Sequence, residues 1–298
     1  MEINKRQATA LLFFSTILWG SSYIFLKLAT NAGMHSGLIN ACRGTICALI
    51  GYLLFFKQIN RLTRKDLKLG LEIGVINYLG YYLQTAGLRY TTPAKSSFIT
   101  ALYVAIAPLI LWLFWHERPR RKTYFAITLA VIGMAVLTNV GQNGLHLQYG
   151  DFLTLLSTVF WALQIIFFNK IAPQSSSSWV VLFMVGFWQG VFGWLTFFGT
   201  ERATFGQIHW MQALVPIVIL AVGITFLGQG MQIIGQAHTD ATSAGLILIL
   251  ESFFASVFSV VLGYDRLTPQ LVFGGAILLL ASAMMQVDLQ SLPFFRKK

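Results

Sequence analysis

The chain has 298 residues, of which 56% are hydrophobic and only 10% are charged, and its formal net charge is +11. With a mean hydropathy of +0.68, this composition excludes an ordinary soluble globular protein and indicates an integral membrane protein. Nucleic acid is not the expected partner of the basic residues. They concentrate in short loops between apolar segments and at the C-terminus, where they set orientation in the lipid bilayer.

Apolar, largely uncharged segments of about 17 to 22 residues recur along the chain, and each is long enough to cross the hydrocarbon core as a helix. The sequence therefore predicts an all-α integral membrane protein with ten transmembrane helices. The predicted spans are residues 8–27, 36–56, 67–88, 96–115, 123–140, 151–169, 179–199, 211–235, 241–262 and 270–287.

The first half of the sequence returns in the second half. The segment Ser15-Thr16-Ile17-Leu18-Trp19 recurs 142 residues later as Ser157-Thr158-Val159-Phe160-Trp161. Further along, the offset becomes 148, and Gly80, Gln84, Gly87 and Thr91 correspond to Gly228, Gln232, Gly235 and Thr239. Two constant offsets indicate a duplication. We assign residues 1–140 to a first five-helix repeat, 141–149 to a connecting loop, 150–289 to a second repeat and 290–298 to a basic tail.

An odd number of crossings per repeat makes the second copy enter the membrane from the opposite side, which predicts inverted-topology repeats. With the N-terminus inside, fifteen Lys and Arg residues lie in cytoplasmic segments and five on the other side. This asymmetry follows the positive-inside rule, so we expect a multi-pass cell-membrane protein with both termini in the cytoplasm. Cys42 and Cys47 lie on one predicted helix, about 140° apart, and are expected to stay reduced.

Several short motifs occur in a constant order along these spans. In the first half they are Leu18-Trp19-Gly20-Ser21-Ser22-Tyr23 with Lys27, then Arg43, then Phe98-Ile99-Thr100-Ala101-Leu102-Tyr103 leading to Pro108, and Glu117-Arg118. In the second half they are Gly150-Asp151, Trp161-Ala162, Leu250-Glu251 and Asp265-Arg266-Leu267-Thr268. Over nearly its whole length, the chain resembles the EamA-type transporters of the drug/metabolite transporter superfamily.

The resemblance implies ten helices around a central cavity between the repeats, and alternating access for small organic solutes, often amino acids or related metabolites leaving the cell. The sequence departs from the family pattern after Glu251, where many relatives carry Pro and this chain has Ser252. It departs again at Asp265, where Glu is usual. The expected function is therefore that of a secondary transporter, an exporter of small metabolites rather than an enzyme.

Glu251 is the clearest candidate site residue, because it lies in the middle of the ninth predicted span. A carboxylate at this depth is costly unless it is paired or used in transport. Either it binds a cationic group of the substrate or carries a proton, or it is paired within the bundle as a structural element. Its counterpart at offset 148 is Tyr103, so the two halves present unlike groups.

Arg43 is a second charge at depth, on one helical face with Asn40 and Cys47. It could anchor a substrate carboxylate, snorkel towards an interface, or form a salt bridge to Glu251 or another acceptor. Of these, the sequence favours a structural role.

Aromatic and amide side chains recur at helical spacing on the spans that correspond between the repeats. Such groups suit an amphipathic solute, although they also pack and hydrogen-bond between helices. The predicted substrate-binding or cavity-lining residues are Trp19, Tyr23, Arg43, Asn77, Gln84, Tyr103, Trp161, Gln164, Gln232 and Glu251, with Glu251 also the candidate for proton coupling.

The sequence has no phosphate-binding loop or nucleophile elbow, and its five His residues are scattered without metal-ligand spacing. We therefore expect no cofactor, no metal and transport driven by a solute or ion gradient. Three alternatives stay open: a quaternary-ammonium or drug exporter of the same superfamily, a nucleotide-sugar carrier, and a multispan membrane enzyme acting on lipids. The sequence leaves the oligomeric state open and is compatible with a monomer.

Overall fold

A computed structural model describes residues 4–116, 118–119, 121–137, 148–170, 172–239, 244 and 247–286. Across these ranges the secondary structure is helical and contains no strand. Most of the predicted connecting loop, the whole basic tail and Glu117 lie outside the described residues.

In the first half, polar side chains mark where several helices begin. Asn4 and Thr63 each form a capping box with the residue three positions later, and Thr92 caps the helix that starts at Pro93. The helices are α1 (Lys5–Asn31), α2 (Ser36–Ile59), α3 (Arg64–Leu88), α4 (Pro93–Thr100), α5 (Tyr103–Trp115) and α6 (Arg121–Leu137). The fourth predicted span is thus divided between α4 and α5.

The second half is less regular. Its α-helices are α7 (Tyr149–Lys170), α8 (Ser178–Thr196), α9 (Trp210–Val218), α10 (Gln229–Ala237), α11 (Leu250–Val261) and α12 (Pro269–Gln286). Residues Ile219–Gly228, between α9 and α10, form a π-helix. It begins three residues after Pro216, which has no N–H to donate to the preceding turn. Hydrophobic periodicity did not predict this widened segment.

The described helices define a membrane-embedded protein with several spans. Six helical stretches are long and apolar enough to cross a membrane: Lys5–Asn31, Ser36–Ile59, Pro93–Phe114, Tyr149–Asn169, Ser178–Gln207 and Trp210–Ala237. The shorter apolar helices are Lys122–Leu137, Leu250–Val261 and Pro269–Ala281. The helix α3 is long but more polar, since amide and tyrosine side chains interrupt its apolar sequence.

Among the described helices, the most extensive contact is between α2 and α8, which occupy equivalent places in the two halves. A Cβ on Gly44 would lie 2.6 Å from the carbonyl oxygen of Gly186, and one on Gly193 would lie 2.6 Å from Cα of Ala41. Small residues at successive turns let the two backbones touch. Residue numbers increase along α2 while the numbers of the contacting residues in α8 decrease, so these two equivalent helices are antiparallel.

Other contacts between the halves come in matched pairs. A Cβ on Gly87 of α3 would lie 2.7 Å from Oγ1 of Thr154 in α7, and one on Gly235 of α10 would lie 2.7 Å from Cγ of Leu12 in α1. Gly87 and Gly235 correspond at offset 148, while Leu12 and Thr154 correspond at offset 142. The duplication in the sequence is therefore also a duplication of packing.

Towards the middle of the bundle, the same correspondence includes the two tryptophans of the repeated motif. A Cβ on Gly80 would lie 3.3 Å from the Trp161 indole, and one on Gly228 would lie 3.6 Å from the Trp19 indole. Each tryptophan thus packs against a glycine of the opposite half. These two indoles belong to one buried cluster with Tyr81 and Tyr103, which brings both repeats to the centre of the fold.

Candidate functional site

A small cavity lies at the centre, between the two halves. Its volume is about 30 Å³, which holds one or two water molecules and no amino acid. The lining residues are Trp19, Gln84, Thr100, Tyr103, Trp161, Gln164, Ile165, Gln232, Leu248 and Glu251. Seven of these were candidates from the sequence, whereas Thr100, Ile165 and Leu248 were not. Of the other candidates, Tyr23, Arg43 and Asn77 lie behind the lining.

Glu251 is held by a chain of hydrogen bonds from uncharged side chains. The hydroxyl of Tyr23 donates to its Oε1 over 3.0 Å. The amide of Gln84 donates to the Tyr23 hydroxyl and to Oγ1 of Thr100, each over 3.1 Å. Within the described part of the chain, the ion pair found joins Lys95 to Asp151, and no basic group pairs with Glu251. The salt bridge from Arg43 to Glu251 that the sequence allowed is therefore not formed.

Three aromatic rings form one side of the site. The Trp19 and Tyr81 rings are stacked with centroids 5.9 Å apart. Trp161 makes T-shaped contacts with Tyr81 and Trp19, at centroid distances of 4.8 and 6.1 Å. These are the offset-stacked and edge-to-face arrangements that aromatic quadrupoles favour. The two equivalent tryptophans thus contact each other across the interface between the repeats.

Arg43 lies behind this aromatic layer and is fully buried. Its guanidinium carbon is 4.2 Å from the centre of the Tyr81 ring, and its Nε donates to Oγ1 of Thr225 over 2.8 Å. Thr225 belongs to the π-helix, whose wider turn lets its hydroxyl donate to the carbonyl of Leu220. The Tyr81 ring therefore lies between Arg43 and the cavity lining. In this position Arg43 stabilises the Tyr81 ring by a cation–π contact.

Amide side chains connect three helices beside the cavity. Oδ1 of Asn77 accepts from Gln164 over 2.6 Å and from Gln229 over 3.2 Å. The Tyr81 hydroxyl donates to Gln229 over 3.4 Å. Asn77 thereby joins α3 to α7 and α10, and of these three amides only Gln164 reaches the lining.

At one end of the bundle, acidic groups fix the start of α4. Nζ of Lys95 lies 2.5 Å from Oδ2 of Asp151, and the Thr91 hydroxyl donates to Oδ1 of Asp151 over 2.7 Å. The Asp265 carboxylate accepts from the backbone N–H of Ala94 over 3.1 Å. In the sequence, Asp151 and Asp265 stand out only as parts of family motifs. No sequence pattern predicts that both contact residues at the start of α4.

Two further carboxylates link the halves, and sequence reasoning missed both. Glu201 accepts from the N–H groups of Gly37 and Leu38 at 2.9 and 3.0 Å, so it caps the start of α2. Asp66 accepts from the Ser175 hydroxyl over 2.7 Å and from the N–H of Ser176 over 2.9 Å. The sequence offered one indication of their importance, which is that acidic residues are rare in this basic, apolar chain.

Asp66 lies at the first turn of α3, ahead of the predicted span. Burial acts to raise the pKa of its carboxyl, but hydrogen bonds from Ser176, Ser175 and Thr63 outweigh burial and hold that pKa well below its usual range. Asp66 is therefore an ionised acceptor at neutral pH that ties α3 to the segment before α8.

A bundle of apolar helices around a cavity lined by two similar halves is typical of membrane transporters. A model of the EamA-like transporter family matches residues 7–139 and 148–287, which correspond closely to the two repeats. The chain belongs to the EamA-like transporter family. It is accordingly a transporter rather than an enzyme, which sets aside the lipid-modifying enzyme considered from the sequence.

Curated relatives carry transporter names. The chain is 32% identical over 267 residues to an "Uncharacterized transporter" of Archaeoglobus fulgidus, covering 89% of this chain and 81% of the relative. It is 26% identical to a "Probable amino-acid metabolite efflux pump" of Salmonella typhimurium, covering 91% of each chain. A protein of the same name from Escherichia coli is 25% identical over 95% of each chain.

The fold also matches a solved structure, titled "Crystal structure of protein". The TM-score is 0.64 at 19% identity, over 94% of this chain and 96% of the other. At this identity, the match supports the helical architecture alone.

Proposed function

We propose that the chain is a secondary exporter of amino acids or related small metabolites, working by alternating access. The observation that carries this proposal is the central cavity, which both halves line and in which Glu251 is the charged lining residue. Aromatic surfaces with a few polar groups suit amphipathic organic solutes. The names of the Salmonella typhimurium and Escherichia coli relatives point to the same class of substrate.

We further propose that ten spans form two inverted five-helix repeats in the cell membrane, with both termini in the cytoplasm. The antiparallel contact of the equivalent helices α2 and α8 supports inversion, because a repeat that entered from the same side would place them parallel. The matched contacts of Gly87 and Gly235 with the opposite halves support a pseudo-two-fold relation. In such transporters, the substrate site lies at the interface of the repeats.

The small cavity volume supports a conformational step in the proposed cycle. A space of about 30 Å³ is too small for an amino acid, so the two halves must move apart to admit one. Glu251 then either binds the substrate ammonium group or carries a proton, and the Tyr23 hydroxyl stabilises its charged form in both roles.

Transport by purified protein in liposomes tests the proposal. Amino acids, nucleosides, choline-like cations and dyes are offered with and without a pH gradient. Glu251→Gln should abolish uphill transport or its pH dependence, whereas Glu72→Gln, which changes a carboxylate outside the cavity, should leave both unchanged. If no solute moves although the wild-type protein is folded, the exporter proposal is wrong. If Glu251→Gln transports like the wild type, Glu251 has only a structural role.

A quaternary-ammonium or drug exporter is the second candidate. The observation that favours it is the proximity of a carboxylate to aromatic rings, since these groups together attract organic cations. The same liposome panel decides between the candidates: transport of choline-like cations and dyes without transport of amino acids supports the second.

A further inference from the structure

The two walls of the central cavity are related by the repeat, yet they differ in chemistry. At offset 148, Gln84 corresponds to Gln232, and Thr100 corresponds to Leu248. All four of these residues line the cavity. The scaffold thus presents the same two positions twice, once as an amide with a hydroxyl and once as an amide with an aliphatic side chain.

Trp19 and Trp161 correspond at offset 142 and are alike, but two further pairs also differ in chemistry. Tyr23 corresponds to Ile165 at offset 142, and Glu251 corresponds to Tyr103 at offset 148. On the first wall, Tyr23 donates to Glu251, and Gln84 donates to both Tyr23 and Thr100. The equivalents Ile165 and Leu248 are aliphatic and cannot form such a network. We name Gln84, Thr100 and Glu251, with Tyr23 behind them, the polar wall. We name the corresponding residues Gln232, Leu248, Tyr103 and Ile165 the apolar wall, because Leu248 and Ile165 place aliphatic side chains where the polar wall has hydroxyl groups.

The charges of the lining are equally one-sided. Glu251 is acidic, and no Lys, Arg or His is among the residues that line the cavity in the described structure. The fully buried cation Arg43 lies against the ring of Tyr81, behind the lining. A substrate ammonium group can therefore pair with a carboxylate here, whereas a substrate carboxylate would have no charged partner. An unpaired charge in such a site is costly.

We infer that the cavity holds its solute in one orientation, with a protonated amine against the polar wall and a branched aliphatic or aromatic group against the apolar wall. The substrate class is therefore amphipathic amines, in which the amine is required and a carboxylate is dispensable. This inference rests on the exporter function proposed above, and it restricts the substrates to solutes with one apolar group.

Matched analogues of leucine test the two ends of the solute separately. Leucine, leucinamide, 3-methylbutylamine and 4-methylpentanoate share one branched chain and differ in the amine and the carboxylate. Competition against labelled leucine is measured in liposomes, and binding is measured by calorimetry in detergent, at about pH 6.5, where the amino groups are protonated. Leucinamide and 3-methylbutylamine should compete at least as well as leucine, and 4-methylpentanoate should compete at least tenfold more weakly.

A second experiment tests the apolar wall. Leu248→Thr with Ile165→Tyr gives two positions of this wall the residues of the polar wall, and should reduce the preference for leucine over serine about tenfold. Leu262→Thr makes one of the same changes on an exposed residue at the end of α11, so it should leave the preference unchanged. If the double variant does not fold, Leu248→Ala enlarges the wall instead, and should shift the preference from leucine towards phenylalanine.

The outcomes separate this inference from the exporter function. If leucine is transported but 4-methylpentanoate competes as well as 3-methylbutylamine, the orientation is wrong and the exporter proposal stands. The same holds if the wall variants fold without any change in preference. If none of the leucine analogues binds but other amino acids are transported in the liposome panel described above, the inference is wrong and the exporter proposal stands. If folded wild-type protein transports no solute of either panel, the exporter proposal itself fails.

Discussion

Replacing Asp66 with Ala tests how strongly carboxylates hold the two halves together. The carboxylate accepts five hydrogen bonds, two from Thr63, one from Ser175 and two from Ser176, over 2.7 to 3.1 Å. Alanine removes all of them and leaves the donors near the start of α3 without their acceptor. It also removes the second half of the capping box at Thr63.

The magnitude follows from the kinds of bond that are lost. A hydrogen bond to a charged group contributes about 1.5–3 kcal/mol, but bonds that share one acceptor are not additive. Water can replace part of the network at this end of the helix. We therefore expect Asp66→Ala to lower the free energy of unfolding by about 2–4 kcal/mol, and Asp66→Asn, which keeps one acceptor oxygen, by about half as much.

The effect should depend on pH with a defined sign. Because the folded-state pKa of Asp66 is lowered, its stabilisation is complete above the unfolded pKa of about 3.9 and decreases as pH falls through the folded pKa. Thermal unfolding in detergent, followed between about pH 7 and pH 3, measures the difference between wild type and variant. That difference should be constant at neutral pH and shrink below about pH 4.

Glu72→Ala is the matched control, since it removes another carboxylate from α3 and should change the unfolding temperature little. Equal unfolding temperatures for wild type and Asp66→Ala at pH 7 would refute the cross-repeat role of Asp66. A difference that persists unchanged at pH 3 would refute the assignment of its stabilisation to the ionised carboxylate.

Three further predictions concern packing and charge. Gly190→Ala places a Cβ 2.9 Å from the Thr45 backbone nitrogen and should destabilise the protein by about 1–3 kcal/mol in thermal unfolding, whereas Gly199→Ala, with nothing within 4 Å, should have little effect. Lys95→Met and Asp151→Asn should each lower the free energy of unfolding by more than half of the loss seen in the double variant, because each removes the same ion pair. Additive losses in this double-mutant cycle would contradict the pairing of Lys95 with Asp151. Arg43→Lys should lower stability by about 1–2 kcal/mol by weakening the contact with Tyr81. It should leave the ratio of the leucine and leucinamide KM values unchanged, unless Arg43 binds the substrate carboxylate.

The sequence predicted the helical class and many helix positions because hydrophobic length and loop charge act locally. The α2 helix, for example, starts at Ser36, the first residue of its predicted span. The break between α4 and α5 and the π-helix around Thr225 were not predicted, since both depend on how the chain meets its neighbours. Apolar composition alone does not distinguish a continuous helix from a divided or widened one.

The candidate site shows a similar limit. Repeat offsets and helical spacing indicated polar and aromatic positions such as Gln84 and Trp161, because a duplicated scaffold brings equivalent faces together. Aliphatic lining residues carry no such signal, so Ile165 and Leu248 were not predicted. The contacts of Asp66 and Glu201 were also beyond sequence reasoning, because each joins residues more than 100 positions apart, and no local pattern specifies their partners.

Asp66 and Glu201 also constrain how the proposed exporter can move. Only four residues connect α2 to α3, so the starts of these helices lie at opposite ends of a helical hairpin. Glu201 fixes the start of α2, and Asp66 fixes the start of α3, each to the other half of the chain. The two ends of the bundle therefore have separate carboxylate links between the halves. Alternating access requires two states of similar free energy, and separate links allow one end to loosen while the other stays joined. In the alternating-access cycle proposed above, motion of the halves would therefore open the cavity to one side at a time without separating them.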